Sequence, residues 1–264
     1  MIERRSATKP IWLNKVPEVT LIFWIIKIMS TTVGETGADY LAVNAGLGQA
    51  VTSDLMAAFL IMALCAQLSS WRYVPWKYWL TVLLVSVVGT QITDALTDGL
   101  GVSLYISTTI FAVALAASFI AWYATEGTLS IHSIVTPRRE LFYWAAILFT
   151  FALGTAAGDL ATEELGLGFT MGAVIFGGLI AVIFFVRRLG GNPVCTFWLA
   201  YILTRPLGAS LGDMLTQAPA YGGMGFGTML TSALFLSVIV ILVAVAHFNV
   251  RKTDKELIRI DYQE

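Results

Sequence analysis

The stretch YWLTVLLVSVVGTQITD, residues 78–94, joins an aromatic–Trp pair to a glycine and then to an aspartate within apolar sequence. The Trp lies fifteen and the Gly five positions before the Asp in each of four copies: Phe23-Trp24…Gly34…Asp39, Tyr78-Trp79…Gly89…Asp94, Tyr143-Trp144…Gly154…Asp159 and Phe197-Trp198…Gly208…Asp213. Because the four copies align without a gap, the chain is an internal repeat, and its fold must be built from the repeated unit.

The composition is typical of a membrane protein. Hydrophobic residues make up 57% of the chain and charged residues 12%, whereas about 25% of residues are charged in soluble domains. Apolar runs approach the ~20 residues that cross a bilayer, so the lipid bilayer is the expected partner. The net charge of −1 gives no reason to expect a nucleic-acid partner. Residues 1–16 are polar and basic, and we expect no cleavable signal peptide.

Each repeat predicts two membrane helices, A and B, joined by a glycine-containing turn. Helix A begins near a proline, which suits the first turn of a helix, and runs to the Asp. Helix B is expected at about 49–70, 103–123, 169–186 and 226–247. The prediction is an all-α membrane protein with eight transmembrane helices. It divides into a cytoplasmic N-terminal segment (1–16), repeat 1 (17–72), repeat 2 (73–126), a cytoplasmic linker (127–136), repeat 3 (137–190), repeat 4 (191–247) and a cytoplasmic tail (248–264).

The arrangement of the repeats follows from their spans and charges. Two spans per repeat make all four copies enter the membrane in the same direction, as parallel repeats. Asp-to-Asp spacings of 55, 65 and 54 residues indicate a pseudo-symmetric arrangement in two halves of two repeats. Of 16 basic residues, 14 lie in the N-terminal segment, the B-to-A connections or the tail, which places both termini in the cytoplasm. The aromatic–Trp pairs would then form a belt at the cytoplasmic interface.

The repeated aspartates, Asp39, Asp94, Asp159 and Asp213, are the main candidate site residues. Fifteen helical residues carry each Asp ~22 Å outward from its Trp, to one depth in the outer part of a core ~30 Å thick. Acidic residues inside a membrane are costly and by default indicate a functional site. A structural alternative stays open, in which the aspartates hold neighbouring repeats together.

Three further acids lie one helical turn from a repeated Asp, namely Glu35, Asp98 and Glu163. Sites rich in oxygen ligands select hard cations such as Mg²⁺, Ca²⁺, Mn²⁺ or alkali ions. Pairs of acids that lie close together can also carry protons. We therefore predict a hard-cation metal site at the four repeated aspartates, with these three acids as secondary ligands or proton relays.

Two basic residues lie within A helices. Arg205, beside the helix-kinking Pro206, should face the protein interior and pair with an acid as an internal counter-ion. Lys27 is either a second counter-ion or a side chain that extends its amine to the interface.

The remaining candidates for chemistry are few. Cys65 and Cys195 lie in apolar segments and are expected to be core residues without a disulfide. His132 and His247 lie outside the predicted acid layer, so no zinc or copper site is expected. No nucleotide-binding motif or nucleophile–base arrangement stands out, and we expect neither a cofactor nor an enzyme.

The stretch Lys15-Val16-Pro17-Glu18-Val19-Thr20-Leu21, with the repeated Gly-x4-Asp and Gly-Leu-Gly elements, resembles a bacterial family of uncharacterised inner-membrane proteins described as membrane-anchored. The resemblance extends from about residue 17 to residue 247. It implies a bacterial cytoplasmic-membrane setting and no activity.

The residues together favour a secondary transporter of small inorganic cations that exchanges them with protons. Two alternatives stay open: a cation channel whose selectivity element is a ring of acids, and a non-transporting membrane subunit whose acids hold the helices together. The ion, the direction of movement and a possible homo-oligomeric state are not determined by the sequence.

Overall fold

The computed structural model describes residues 14–40 and 48–261, with side chains except those of residues 38, 39 and 253–261. Its long helices are α1 (Leu21–Asp39), α2 (Gln49–Leu68), α3 (Pro75–Asp94), α4 (Leu104–Glu126), α5 (Pro137–Asp159), α6 (Gly168–Arg188), α7 (Pro193–Thr216) and α8 (Thr228–Asp261). The described ranges contain no β-strand. Seven of these helices are long and apolar enough to cross a membrane. The exception is α1, which carries Lys27 and Glu35.

The helices begin and end where the local sequence favours it. A proline is the first residue of α3, α5 and α7, as predicted. The hydroxyl of Thr20 accepts a hydrogen bond from the Phe23 N–H and caps the start of α1. α3 and α5 continue directly into π-helical turns at Ala95–Gly99 and Leu160–Glu164. α8 passes the predicted end at residue 247 and continues to residue 261, so the predicted tail is largely helical.

Four helices form a closed ring, which we call the ring: α1 packs against α3 and α7, and α5 packs against the same two helices. The other helices lie outside the ring, each against the A helix of the next repeat: α2 on α3, α4 on α5, α6 on α7 and α8 on α1. In α3, α5 and α7, 56–61% of the span is buried, compared with 11–17% in the four outer helices. The outer helices therefore expose apolar surface that suits lipid contact.

The repeated glycines lie where the ring helices cross. A β-carbon added at any of them would lie 1.9–2.6 Å from an atom of the next ring helix, which is closer than real contacts allow. In every case the neighbour is the residue seven positions after the next repeat's Trp: Gly34 meets Ser86, Gly89 meets Phe151, Gly154 meets Arg205 and Gly208 meets Thr31. The glycines thus let the ring helices approach closely.

The aromatic–Trp pairs pack inside the bundle, and the predicted interfacial belt is wrong for them. Trp79, Trp144 and Trp198 are only 3–4% exposed. The first residue of each pair contacts the Trp of the next repeat, with ring centroids 5.5–6.1 Å apart: Phe23 with Trp79, Tyr78 with Trp144, Tyr143 with Trp198, and Phe197 with Trp24. Because the ring closes around these side chains, they form its core at the N-terminal end.

The two cysteines are also misplaced by the sequence prediction. Cys65 and Cys195 are both exposed on the surface of the bundle instead of lying in its core, and both are free. In a membrane protein an apolar segment can face lipid, so its hydrophobicity does not place a residue inside the protein.

A buried ion pair fixes the N-terminal segment to the bundle. The Lys15 ammonium donates to the Glu140 carboxylate at 2.6 Å and to the Leu68 carbonyl at 3.0 Å. Gln67 donates to the other oxygen of Glu140 at 2.9 Å. Lys15 therefore joins the segment before α1 to the start of α5 and the end of α2.

Candidate functional site

The centre of the ring is occupied by the side chain of Arg205, which is completely buried. Its guanidinium donates to the Glu35 carboxylate of α1 and to the Thr90 hydroxyl of α3. It also donates to the Thr155 hydroxyl of α5 at 2.8 and 3.0 Å and to the Thr31 carbonyl at 2.7 Å. One side chain of α7 therefore binds all three other ring helices. These partners offset the cost of burying the guanidinium.

A second cation lies one helical turn from Arg205 toward the N-terminal end of the ring. Lys27 is completely buried, and its ammonium has no hydrogen-bond partner among the described residues. The ammonium lies over the aromatic rings of Phe151 and Tyr201, 4.0 and 4.3 Å from their centroids. The interpretation of Lys27 as a side chain that extends to the interface is therefore wrong. The aromatic contacts give the ammonium partial compensation.

Below Lys27 the ring is closed by what we call the aromatic floor, the first residues of the four aromatic–Trp pairs. Phe23, Tyr78 and Tyr143 are 0–2% exposed and Phe197 is 9% exposed. The hydroxyls of Tyr78 and Tyr143 share a hydrogen bond of 2.5 Å. The floor separates the two buried cations from the N-terminal end of the bundle.

Acids from several helices converge at the opposite, C-terminal end of the ring. The Asp159 carboxylate is partly buried and interacts electrostatically with carboxylates from the other three ring helices and from its own π-helical turn. We call this set the acid cluster, and it consists of Glu35, Asp94, Asp159, Glu163 and Asp213. Asp159 therefore lies near acids of all three other ring helices. Asp39 ends α1 at the equivalent position, but its side chain is outside the described set.

The outer edge of the acid cluster is exposed. Glu163 and Asp98 lie in the two π-helical turns, are exposed, and interact electrostatically with each other. π-Helical turns are frequent at functional sites. Among the described side chains, which exclude that of Asp39, no three Asp, Glu, His or Cys groups are placed to hold one metal ion. Of the predicted four-aspartate metal site, Asp94, Asp159 and Asp213 are therefore not placed to hold one ion, and the side chain of Asp39 lies outside the described set.

Comparison with known proteins identifies the repeat. Four segments, residues 22–73, 77–128, 142–189 and 196–252, match the model of the family described as Repeat of Unknown Function (DUF347). The chain belongs to the DUF347 repeat family. It matches no curated protein and no solved structure.

Aligning the four DUF347 repeats on their Trp explains why these side chains meet. The position seven after the Trp holds Thr31, Ser86, Phe151 and Arg205, and the position three after it holds Lys27, Val82, Ile147 and Tyr201. Each set contributes one side chain per ring helix at one level. Sequence reasoning missed Phe151 and Tyr201 as partners of Lys27, although the alignment already placed them beside the two cations.

Proposed function

We propose that this DUF347 protein is a carrier of small inorganic cations, which it exchanges with protons through the ring. One observation carries the proposal: Arg205 lies at the ring centre bound to Glu35, an acid that also interacts electrostatically with Asp159. A fixed internal cation that holds one acid of a cluster can be displaced by an incoming cation. That competition is the basis of an exchange cycle.

The acids would provide both ligands and proton carriers. A hard cation that reaches the C-terminal end of the ring would exchange part of its hydration shell for carboxylate oxygens of the acid cluster. No three of the described acids are placed to hold one ion in this structure, so they would have to move together around it. The cation would compete with Arg205 for Glu35. Carboxylates that lie close together repel one another and readily take up a proton when no cation is bound. Protonation of the cluster would then favour release of the bound cation.

The filling of the ring favours a carrier over an open channel. Between the acid cluster and the aromatic floor lie the buried side chains of Arg205, Phe151 and Lys27. Passage of an ion would require these side chains and the floor to move. A cycle in which the ring opens alternately to its two ends fits this arrangement better than continuous conduction through a filter.

The arrangement in the membrane belongs to the same proposal. Glycine contacts and aromatic contacts both join equivalent positions of successive repeats, and the fourth repeat contacts the first. This supports parallel, pseudo-symmetric two-helix repeats, within which the longer linker separates two halves. The basic residues of the N-terminal segment and the B-to-A connections support cytoplasmic termini. We place the protein in a bacterial inner membrane on the family resemblance.

A second candidate function is that of a non-transporting membrane subunit. The observation in its favour is that one side chain, Arg205, hydrogen-bonds from α7 to α1, α3 and α5. In that case the buried charges would serve assembly of the ring, and the acids would need no cation.

Cation-dependent proton flux in proteoliposomes separates the two candidates. A pH-sensitive dye is trapped inside, mono- and divalent cations are added outside one at a time, and Asp94→Asn and Asp159→Asn are compared with wild type. The matched control is Asp54→Asn, since Asp54 is exposed on α2 outside the ring. The exchanger is supported if one cation drives proton flux in the wild-type protein and in Asp54→Asn, and if this flux disappears in Asp94→Asn and Asp159→Asn. Absence of flux for every cation in the wild-type protein would refute it.

A further inference from the structure

A large cavity lies beside the N-terminal end of the ring, between α6 and α8. Its volume is about 1000 Å³, at the upper end of the ~300–1,000 Å³ typical of ligand pockets. At its deep end it reaches Phe23 and Phe197 of the aromatic floor, together with Trp79. We call this space the inner cleft. It touches the floor at these residues, near the N-terminal end of the ring.

The inner cleft opens sideways onto the surface that faces lipid. Ile22, Phe184 and Val245 line it and are themselves 43–47% exposed. They belong to α1, α6 and α8, and the last two are outer helices with mostly exposed spans. An apolar cleft that is continuous with lipid-facing helix surface suits a hydrocarbon chain that enters from the bilayer.

The polar end of the inner cleft is mainly basic. Three basic residues and one acidic residue line it, namely Arg72, His132, Arg187 and Glu18. The side chain of Arg187 forms no ion pair with any described residue, although it ends a membrane helix at the basic end of the bundle. Basic pockets between membrane helices at the headgroup level bind anionic lipid headgroups.

We propose that the inner cleft binds an anionic phospholipid, with its acyl chains along α6 and α8 and its phosphate at Arg187 and His132. The two properties of the cleft, apolar depth and basic rim, match the two parts of that molecule. A small inorganic ion would make no contact with the apolar walls, and a lipid without net charge would gain no net electrostatic attraction from the basic rim. The lipid would lie against the aromatic floor, where it can influence how the ring opens.

Native mass spectrometry of the detergent-solubilised full-length protein tests this site. The protein is titrated with phosphatidylglycerol or with phosphatidylcholine, and the lipid-bound fraction gives the apparent affinity. One basic residue near a membrane surface contributes about 1 kcal/mol to attraction of anionic lipid, so Arg187→Gln should weaken phosphatidylglycerol binding about fivefold. The matched control is Arg188→Gln, since Arg188 is the next residue of α6 but does not line the cleft.

A second variant fills the cleft without a change in charge. Ala246 lines the cleft on α8, and Ala246→Trp should exclude the acyl chains and remove binding of both lipids. The site is supported if the wild-type protein binds phosphatidylglycerol more tightly than phosphatidylcholine. Binding of phosphatidylglycerol should then fall in Arg187→Gln and in Ala246→Trp, but not in Arg188→Gln. Equal weakening in Arg187→Gln and Arg188→Gln would show surface charge attraction alone. Unchanged binding in Ala246→Trp would likewise overturn the proposal.

Discussion

Replacing Gly154 with alanine should weaken the crossing of α5 and α7. An added β-carbon would lie 2.5 Å from both Cβ and Cγ of Arg205 and 3.1 Å from Cδ of Pro206. Because carbon atoms in contact sit about 3.5–4.0 Å apart, the two helices must separate by about 1 Å. Neither neighbour can move freely, since the Arg205 guanidinium is bound to three other helices and the proline ring is rigid.

The expected loss of stability follows from these contacts. Adding a methylene-sized group to a packed interior costs about 1–3 kcal/mol. Displacement of Arg205 also weakens hydrogen bonds to a charged group, each of which contributes about 1.5–3 kcal/mol. The better helix propensity of alanine returns up to about 1 kcal/mol. We expect Gly154→Ala to lower the free energy of unfolding by about 2–3 kcal/mol, which corresponds to a fall in Tm of about 5–10 °C.

Thermal unfolding in detergent, followed by intrinsic Trp fluorescence, measures this difference. The control is Gly178→Ala on α6, where an added β-carbon meets nothing within 4 Å. That variant should be unchanged or slightly stabilised, since only the helix propensity changes. If Gly154→Ala unfolded at the same temperature as Gly178→Ala, the close crossing of α5 and α7 at Arg205 would be refuted.

Two further predictions concern the buried charges. Arg205→Met should cost about 3–5 kcal/mol because it leaves Glu35 buried without its partner, whereas adding Glu35→Gln to that variant should recover most of the lost Tm. If the losses of the two single variants, Arg205→Met and Glu35→Gln, simply added in the double variant, the pairing would be contradicted. Lys27→Met should leave Tm unchanged or raise it, because it removes a buried ammonium that lacks a hydrogen bond, and it should lower cation-dependent proton flux. A Tm that falls by more than a few degrees would show instead that Lys27 serves stability.

The sequence predicts the helices well because their signals are local. The repeat spacing and the prolines locate the starts of α3, α5 and α7, and the three α-helices α1, α3 and α5 end at the repeated Asp. The end of α8 is missed, since no proline or glycine marks it. Its charged residues after position 250 suggested a solvated tail, yet a helix accommodates them as well as a coil does.

Side-chain environments are harder to predict, because lipid and protein interior are both apolar. Hydrophobicity places Cys65 and Trp144 equally well inside the bundle or at its surface. The structure exposes the cysteine and buries the Trp. What distinguishes them is the helix on which each lies, since ring helices are buried by neighbours and outer helices are not. That assignment depends on long-range packing, which no single segment encodes.

The single arginine in four repeats follows from the geometry of a closed ring. Side chains at one level of the four ring helices share one central space, and Arg205 fills it while Thr31, Ser86 and Phe151 hold the other three equivalent positions. Four guanidiniums there would repel one another and exceed the space. One guanidinium carries five N–H donors, enough to reach all three other ring helices. The repeats therefore differ at this position, where one arginine finds a partner on each of the other three ring helices.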